Sequence, residues 1–146
     1  MSQARELFLL DTNIVLHAVR NSDLWRRVDG QFHLRHQPNR PLISAVTVGE
    51  ALALAARNGW GETKRTKLQE LLRELVILDI NVEAILRSYA ELDVATRSRP
   101  IGENDLWIAA TARATGAHLL TTDTDFDTLH PHLLQRTRFD PQRKAD

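Results

Sequence analysis

Glu6-Leu7-Phe8-Leu9-Leu10-Asp11-Thr12-Asn13-Ile14-Val15-Leu16 is the stretch on which the fold turns. A short apolar run ends abruptly at an acid. A run of this length without polar alternation reads as a strand covered on both faces, here Glu6 to Leu10. Asp11 and Thr12 are both good helix N-caps, and Ile14 to Arg20 follows as helix. The chain therefore opens as strand, acid, helix.

The same grammar recurs further along. Ser22 can cap a helix that carries Leu24, Trp25 and Val28 on one face. Leu42 to Ser44 is a second strand, followed by an Ala- and Leu-rich helix from Val46 to Arg57. Glu62 to Leu75 is amphipathic, with Leu68, Leu71, Leu72 and Leu75 at helical spacing. Val76 to Leu78 is a third strand, and Val82 to Ala95 is a helix with Ile85, Tyr89 and Leu92 on one face. Thr96 to Gly102 is a basic, proline-containing loop. Asn104 to Thr115 is apolar nearly all round after Asp105, which predicts a helix pressed against a sheet, ended by a left-handed Gly116. His118 to Thr121 is a fourth strand, Thr122 to Leu129 a loop with a short helix, and Leu133 to Phe139 a fifth strand. Strands alternating with helices predict an α/β fold: a parallel sheet of four to five strands with helices on both faces. The expected domain is 1–139, with 140–146 a flexible tail.

The chain has 146 residues, enough for one domain with its own core. Lys+Arg and Asp+Glu both total 19, so a globally basic, histone-like field is excluded and any nucleic-acid contact must be local. Cysteine is absent, which removes disulfides, thiolate metal sites and cysteine nucleophiles and fits a reducing cytosol. Asp11 interrupts the early apolar run, so no signal-peptide core is legible, and no stretch is long enough to span a membrane.

In an open parallel sheet, ligands sit beyond the carboxyl ends of the strands. Asp11 follows the first strand and Asp123 the fourth. Asp105 lies in the first turn of the helix that feeds the fourth strand, and Glu50 lies about one turn into the helix after the second. Acids gathered in one crevice must share protons or a cation. Oxygen-only donors select hard ions such as Mg²⁺ or Mn²⁺, which suit phosphoryl chemistry. Each acid alone also reads as a helix cap or a solvated charge. Asp79 follows the third strand in the same way, and position alone does not reject it.

Four blocks carry a more specific signal. They are Leu9-Leu10-Asp11-Thr12-Asn13-Ile14-Val15-Leu16, Ile43-Ser44-Ala45-Val46-Thr47-Val48-Gly49-Glu50, Ile101-Gly102-Glu103-Asn104-Asp105-Leu106-Trp107-Ile108-Ala109-Ala110 and Leu119-Leu120-Thr121-Thr122-Asp123-Thr124-Asp125-Phe126. In this order and spacing they resemble PIN-domain ribonucleases, particularly the VapC-type toxins of toxin–antitoxin pairs. The resemblance implies a metal-dependent endoribonuclease using Mg²⁺ or Mn²⁺. It implies metal-site and catalytic acids at Asp11, Glu50, Asp105 and Asp123, with Asp125 two residues beyond, and no role for Asp79. Asn13 and Thr121 are expected to orient Asp11 or its neighbours. The implied partners are an RNA substrate (tRNA, rRNA or mRNA), a cognate antitoxin protein and a second copy of the chain, with no membrane involved.

Arg97 and Arg99 precede the Asp105 block and are the expected phosphate contacts, with Lys64, Arg65 and Lys67 next in line. Glu103 is expected to face solvent. Trp107 is expected in the core. Trp60, between Gly59 and Gly61, is either a staple holding its loop or an exposed anchor, and partner-covered apolar surface is expected around Trp25 or Trp60. None of the six histidines has a convincing metal-ligand spacing. Two other functions share these residues. A haloacid-dehalogenase-type phosphatase also starts with strand and Asp but wants a second Asp where Asn13 stands. A catalytically silent PIN domain would act as a binding module.

Overall fold

A computed structural model describes residues 6–142. The apolar run forms β1 (Phe8–Leu10) and leads into α1 (Thr12–Arg20) and α2 (Asp23–Phe32). β2 (Leu42–Ser44) is followed by α3 (Ala45–Arg57) and α4 (Glu62–Glu74), and β3 (Val76–Leu78) by α5 (Glu83–Ala95) and α6 (Glu103–Thr115). β4 (His118–Thr121), a 3-10 segment (Thr124–Leu129) and β5 (Gln135–Arg138) complete the chain. All five strands are parallel, in the order β3-β2-β1-β4-β5. Among the described residues, no helix is long and apolar enough to cross a membrane.

Period-two alternation sorts the strand side chains into two cores. Phe8, Leu10, Ile43 and Leu120 pack with α1 to α4 on one face, while Leu9, Leu42 and Leu119 pack with α5 and α6 on the other. The predicted α/β sandwich is therefore the observed one, with helices on both faces. The helix predicted to press on the sheet does so: Leu106, Ile108, Ala109, Ala110 and Ala112 are buried, and Gly116 ends it at φ 71°. Ser22 caps α2 by accepting from the Trp25 N–H at 3.1 Å.

The strand order places the site. From β1 the chain moves to β2 and β3 on one side, then crosses back to β4 on the other. The carboxyl ends of β1 and β4 thus flank a topological switch point, where the connections diverge and leave a crevice.

Several expectations change. Trp25 and Trp60 are only 6% and 8% exposed and belong to the chain's own core, so neither is a partner anchor. Trp60 is a staple: its carbonyl accepts from Arg65 Nε at 2.7 Å, and Lys64 Nζ sits 4.3 Å from its ring centroid. Trp107 is only half-buried and stacks on Tyr89 with ring centroids 3.9 Å apart. β5 is shorter than expected, and β3 is an edge strand with Val76 and Ile77 exposed. The expected tail begins with a tied turn. The Asp140 carbonyl accepts from Arg27 Nη2 at 2.9 Å, and its side chain accepts from the Gln142 N–H, also at 2.9 Å. The ends of the expected domain and tail, 1–5 and 143–146, lie outside the described residues.

Candidate metal centre

Asp11 stands at the carboxyl end of β1, and its own N–H still bonds the Leu120 carbonyl of β4 at 3.0 Å. Its backbone is extended, so it serves as N-cap of α1, with Oδ1 accepting from the Thr12 N–H at 2.7 Å. Thr121 Oγ1 donates to Oδ2 at 2.6 Å from the end of β4. The same Thr121 oxygen accepts the Asp123 N–H at 2.9 Å, and Asp123 Oδ1 accepts the Asp125 N–H at 2.9 Å. One buried hydroxyl therefore couples the first acid to the turn that carries the next two.

Asp105, Asp123 and Asp125 each offer a carboxylate oxygen, and these lie within 4.8 Å of one another. Asp11 and Glu50 stand outside that tight group, yet both act electrostatically on Asp105. Glu50 is held from two sides: Thr12 Oγ1 donates to Oε1 at 2.6 Å and Asn104 Nδ2 to Oε2 at 3.2 Å. Thr47 Oγ1 lies 3.1 Å from the Thr12 hydroxyl. α1, α3 and α6 all begin at this edge, so their positive ends face the acids.

Burial dominates the electrostatics. Asp11 is 3% exposed, and desolvation pushes its carboxyl up to about 6, against the opposing pull of the Thr121 and Thr12 hydrogen bonds. Asp105 is raised to about 7, first by burial and then by Asp11, Asp123, Asp125 and Glu50. Among the described residues, none of these five acids has an ion-pair partner. An all-oxygen donor set with unbalanced negative charge suits a hard divalent cation, which would displace protons as it binds.

A model of the PIN domain matches residues 8–130. The chain belongs to the PIN domain family. The match sets aside the dehalogenase-type phosphatase, whose second Asp would fall at exposed Asn13. Among curated proteins, this PIN domain is 27% identical over 117 residues to "Ribonuclease VapC2" of Haemophilus influenzae, covering 80% of this chain and 86% of that one. It is 27% identical over 118 residues to "tRNA(fMet)-specific endonuclease VapC" of Shigella flexneri, covering 80% of this chain and 86% of that one. The toxin–antitoxin structure VapBC2 from Rickettsia felis, bound to a DNA fragment of its promoter, superposes with a TM-score of 0.77 at 26% identity. That superposition covers 92% of this chain and 99% of that one.

The structure brings Asp11, Glu50, Asp105, Asp123 and Asp125 of this PIN domain to one edge. It does not bring Asn13 there. As the second residue of α1, Asn13 is turned to solvent, and it makes no hydrogen bond to Asp11 or its neighbours. Thr12 makes the contacts expected of it. Glu103 is exposed, and Asp79 is exposed just past β3, the edge strand, where its side chain accepts from the Asn81 N–H. Thr12, Thr47 and Asn104 were not anticipated. Their only sequence signal is that Thr12 and Asn104 each sit beside a site acid.

The coupling through Thr121 is testable. Thr121→Val keeps the shape and removes the donor to Asp11, so the Asp11 carboxyl should titrate still higher. Carbon-13 carboxyl NMR on metal-free protein reads this directly, and an unmoved or lowered Asp11 titration would contradict it.

Proposed function

We propose that this PIN domain is a metal-dependent endoribonuclease that hydrolyses RNA phosphodiester bonds with Mg²⁺ or Mn²⁺. We further propose that it is the toxin of a toxin–antitoxin pair acting in the cytoplasm. The observation that carries the reading is the meeting of five acids at the switch point of a PIN fold, two of them with strongly raised proton affinity. Asp105, Asp123 and Asp125 are the nearest ligand group, with Asp11 and Glu50 completing the charge. A hard cation held there supplies an attacking water of lowered pKa and offsets charge growing on phosphate oxygens.

The chain's own residues do the positioning. Thr121 fixes the Asp11 carboxylate and the turn of Asp123. Thr12 and Asn104 hold the two Glu50 oxygens apart in a set orientation. No side chain is assigned as general base. Among the described residues no histidine sits with the acids: His118, for example, bonds Glu6 and Thr137.

The relative described as tRNA(fMet)-specific supports tRNA as the first RNA class to test, ahead of rRNA and mRNA. The VapBC structural relative supports an antitoxin partner, and a homodimer is part of the same proposal. The apolar side chains open to such partners are Leu52, Val76, Ile77, Val82, Leu86 and Val94.

Arg97 and Arg99 are exposed on the loop between α5 and α6, just ahead of Asp105. Replacing both with Ala should weaken RNA binding and lower the salt slope by roughly one to two, at about 0.7–0.9 per phosphate contact. kcat at saturating RNA should change far less. An unchanged slope in a salt series would make them ordinary surface charge. The function itself is tested by titrating Mn²⁺ calorimetrically into wild type and Asp11→Asn and assaying both on total tRNA. Saturable binding and cleavage should appear in the wild type and vanish in the variant. Absence of both from the wild type would favour a silent binding module.

A further inference from the structure

Strand register puts one more charged residue in line with the site. β1 and β4 pair Leu10 with Leu120, so Asp11 and Thr121 are the next pair along, consistent with their 2.6 Å hydrogen bond. β4 and β5 pair Thr121 with Arg138. Asp11, Thr121 and Arg138 therefore form one row across three adjacent strands at the carboxyl edge, with side chains on the same face. Strand spacing sets the Arg138 backbone roughly 10 Å from that of Asp11.

The guanidinium is anchored but not neutralised. Arg138 Nε donates to the Thr122 carbonyl at 3.1 Å, in the turn that leads to Asp123. Among the described residues, its Nη1 and Nη2 have neither a hydrogen-bond nor an ion-pair partner, and they are not among the buried orphaned atoms, so they keep access to solvent. Its neighbour Arg136 differs: it is paired with Asp127 at 2.9 Å. Arg138 thus spends one donor on orientation and leaves a half-buried, pre-set fork open beside a cluster of acids it does not touch. A fork in that state matches a phosphate better than a point charge would.

We propose that Arg138 contacts an RNA phosphate flanking the scissile one, holding the strand across the acidic edge. The proposal rests on the endoribonuclease reading for its substrate. It differs from the Arg97 and Arg99 assignment in placing the contact on a strand of the sheet, where the geometry is fixed by register.

The test uses full-length wild type, Arg138→Ala and Arg138→Lys, with fluorescently labelled tRNA at several KCl concentrations. Anisotropy gives Kd and its salt slope, cleavage gives KM and kcat, and thermal melting monitors the fold. Arg138→Ala should raise Kd and KM roughly tenfold, as loss of a charge-assisted hydrogen bond would. Its salt slope should fall by about 0.7–0.9, the share of one phosphate, while kcat moves much less. Arg138→Lys should recover the slope. Wild-type Kd and slope in Arg138→Ala would overturn the proposal. So would a lowered melting midpoint with an unchanged slope, which would make Arg138 only a tie for the Thr122 turn. Weakened binding of an antitoxin protein with unaltered RNA binding would assign the fork to a protein carboxylate instead. If the wild type binds tRNA without cleaving any RNA, the endoribonuclease reading fails and the anisotropy series still decides the role of Arg138.

Discussion

Asp11→Asn and Asp105→Asn should each lower RNA cleavage by roughly 10²–10³-fold or more, the scale of losing a principal electrostatic element of an active site. Both changes keep the side-chain shape and remove one negative charge from a group that burial has already made costly to ionise. The fold should survive, and the metal-free variants should melt above wild type at pH 8, because the remaining acids repel less. Asp79→Asn, just beyond the edge strand β3, should match wild type in both respects. Initial rates on tRNA and thermal melts at pH 8 check all three. Cleavage by Asp11→Asn at the wild-type rate would overturn the assignment.

Stability should depend on pH and cation in a linked way. The Asp11 and Asp105 carboxyls titrate near 6 and 7 in the folded chain against an ordinary 3.8. Between about pH 4 and 7 the folded protein therefore holds more protons than the unfolded one, and stability falls as pH rises. The metal-free midpoint should drop from pH 5 to pH 8 and flatten above. A divalent cation binds the deprotonated acids, so its stabilisation should be small at pH 5 and large at pH 8. At a hundred times Kd it contributes about 2.7 kcal/mol, on the order of 10 °C for a chain of this size. Calorimetric melts across that range, with Mn²⁺ and with EDTA, make the comparison. A metal-free midpoint that rises from pH 5 to pH 8, or a cation effect independent of pH, would contradict the electrostatics described here.

The fold was largely legible because β1 to β4 are short apolar runs closed by a polar stop, and α1 and α2 start on the capping residues Asp11 and Ser22. Ser22 before α2 and Gly116 after α6 act as their residue types predict. β5 was harder to read because Gln135, Arg136, Thr137 and Arg138 are a polar edge strand whose ladder partner, β4, is set by tertiary packing. Trp60 between two glycines leaves a staple and an exposed anchor both open in the sequence, and a core contact with two hydrogen bonds makes it the staple.

At the site, the acids were legible as candidates by their place after strands and near helix starts, a place that Asp79 shares, and only the PIN-domain resemblance sets Asp79 apart. Their relative roles were not. Which oxygens lie within 4.8 Å depends on the Asp123–Asp125 turn, which spacing alone does not resolve. Of the two neutral residues expected to orient the acids, Thr121 bonds Asp11, whereas the contact expected of Asn13 is made one position earlier by Thr12. Capping logic treats Asp11, Thr12 and Asn13 as nearly equivalent polar starts. Helical rotation distinguishes them: Asp11 caps, Thr12 turns to Glu50 and Asn13 turns to solvent. Arg138 carries no motif, and its relation to Asp11 exists only through the register of three strands.

The central claim is that acids from four separate segments form a cation site that hydrolyses RNA with water as the nucleophile. Its most direct test is to incubate purified protein with total tRNA and rRNA, with Mg²⁺, with Mn²⁺ and with EDTA, and to map the new ends and their chemistry. Discrete internal cuts should appear only with a cation, be absent with Asp11→Asn, and carry linear phosphates, since water rather than the ribose 2′-hydroxyl attacks. Cuts that persist in EDTA, or ends bearing 2′,3′-cyclic phosphate, would contradict the account.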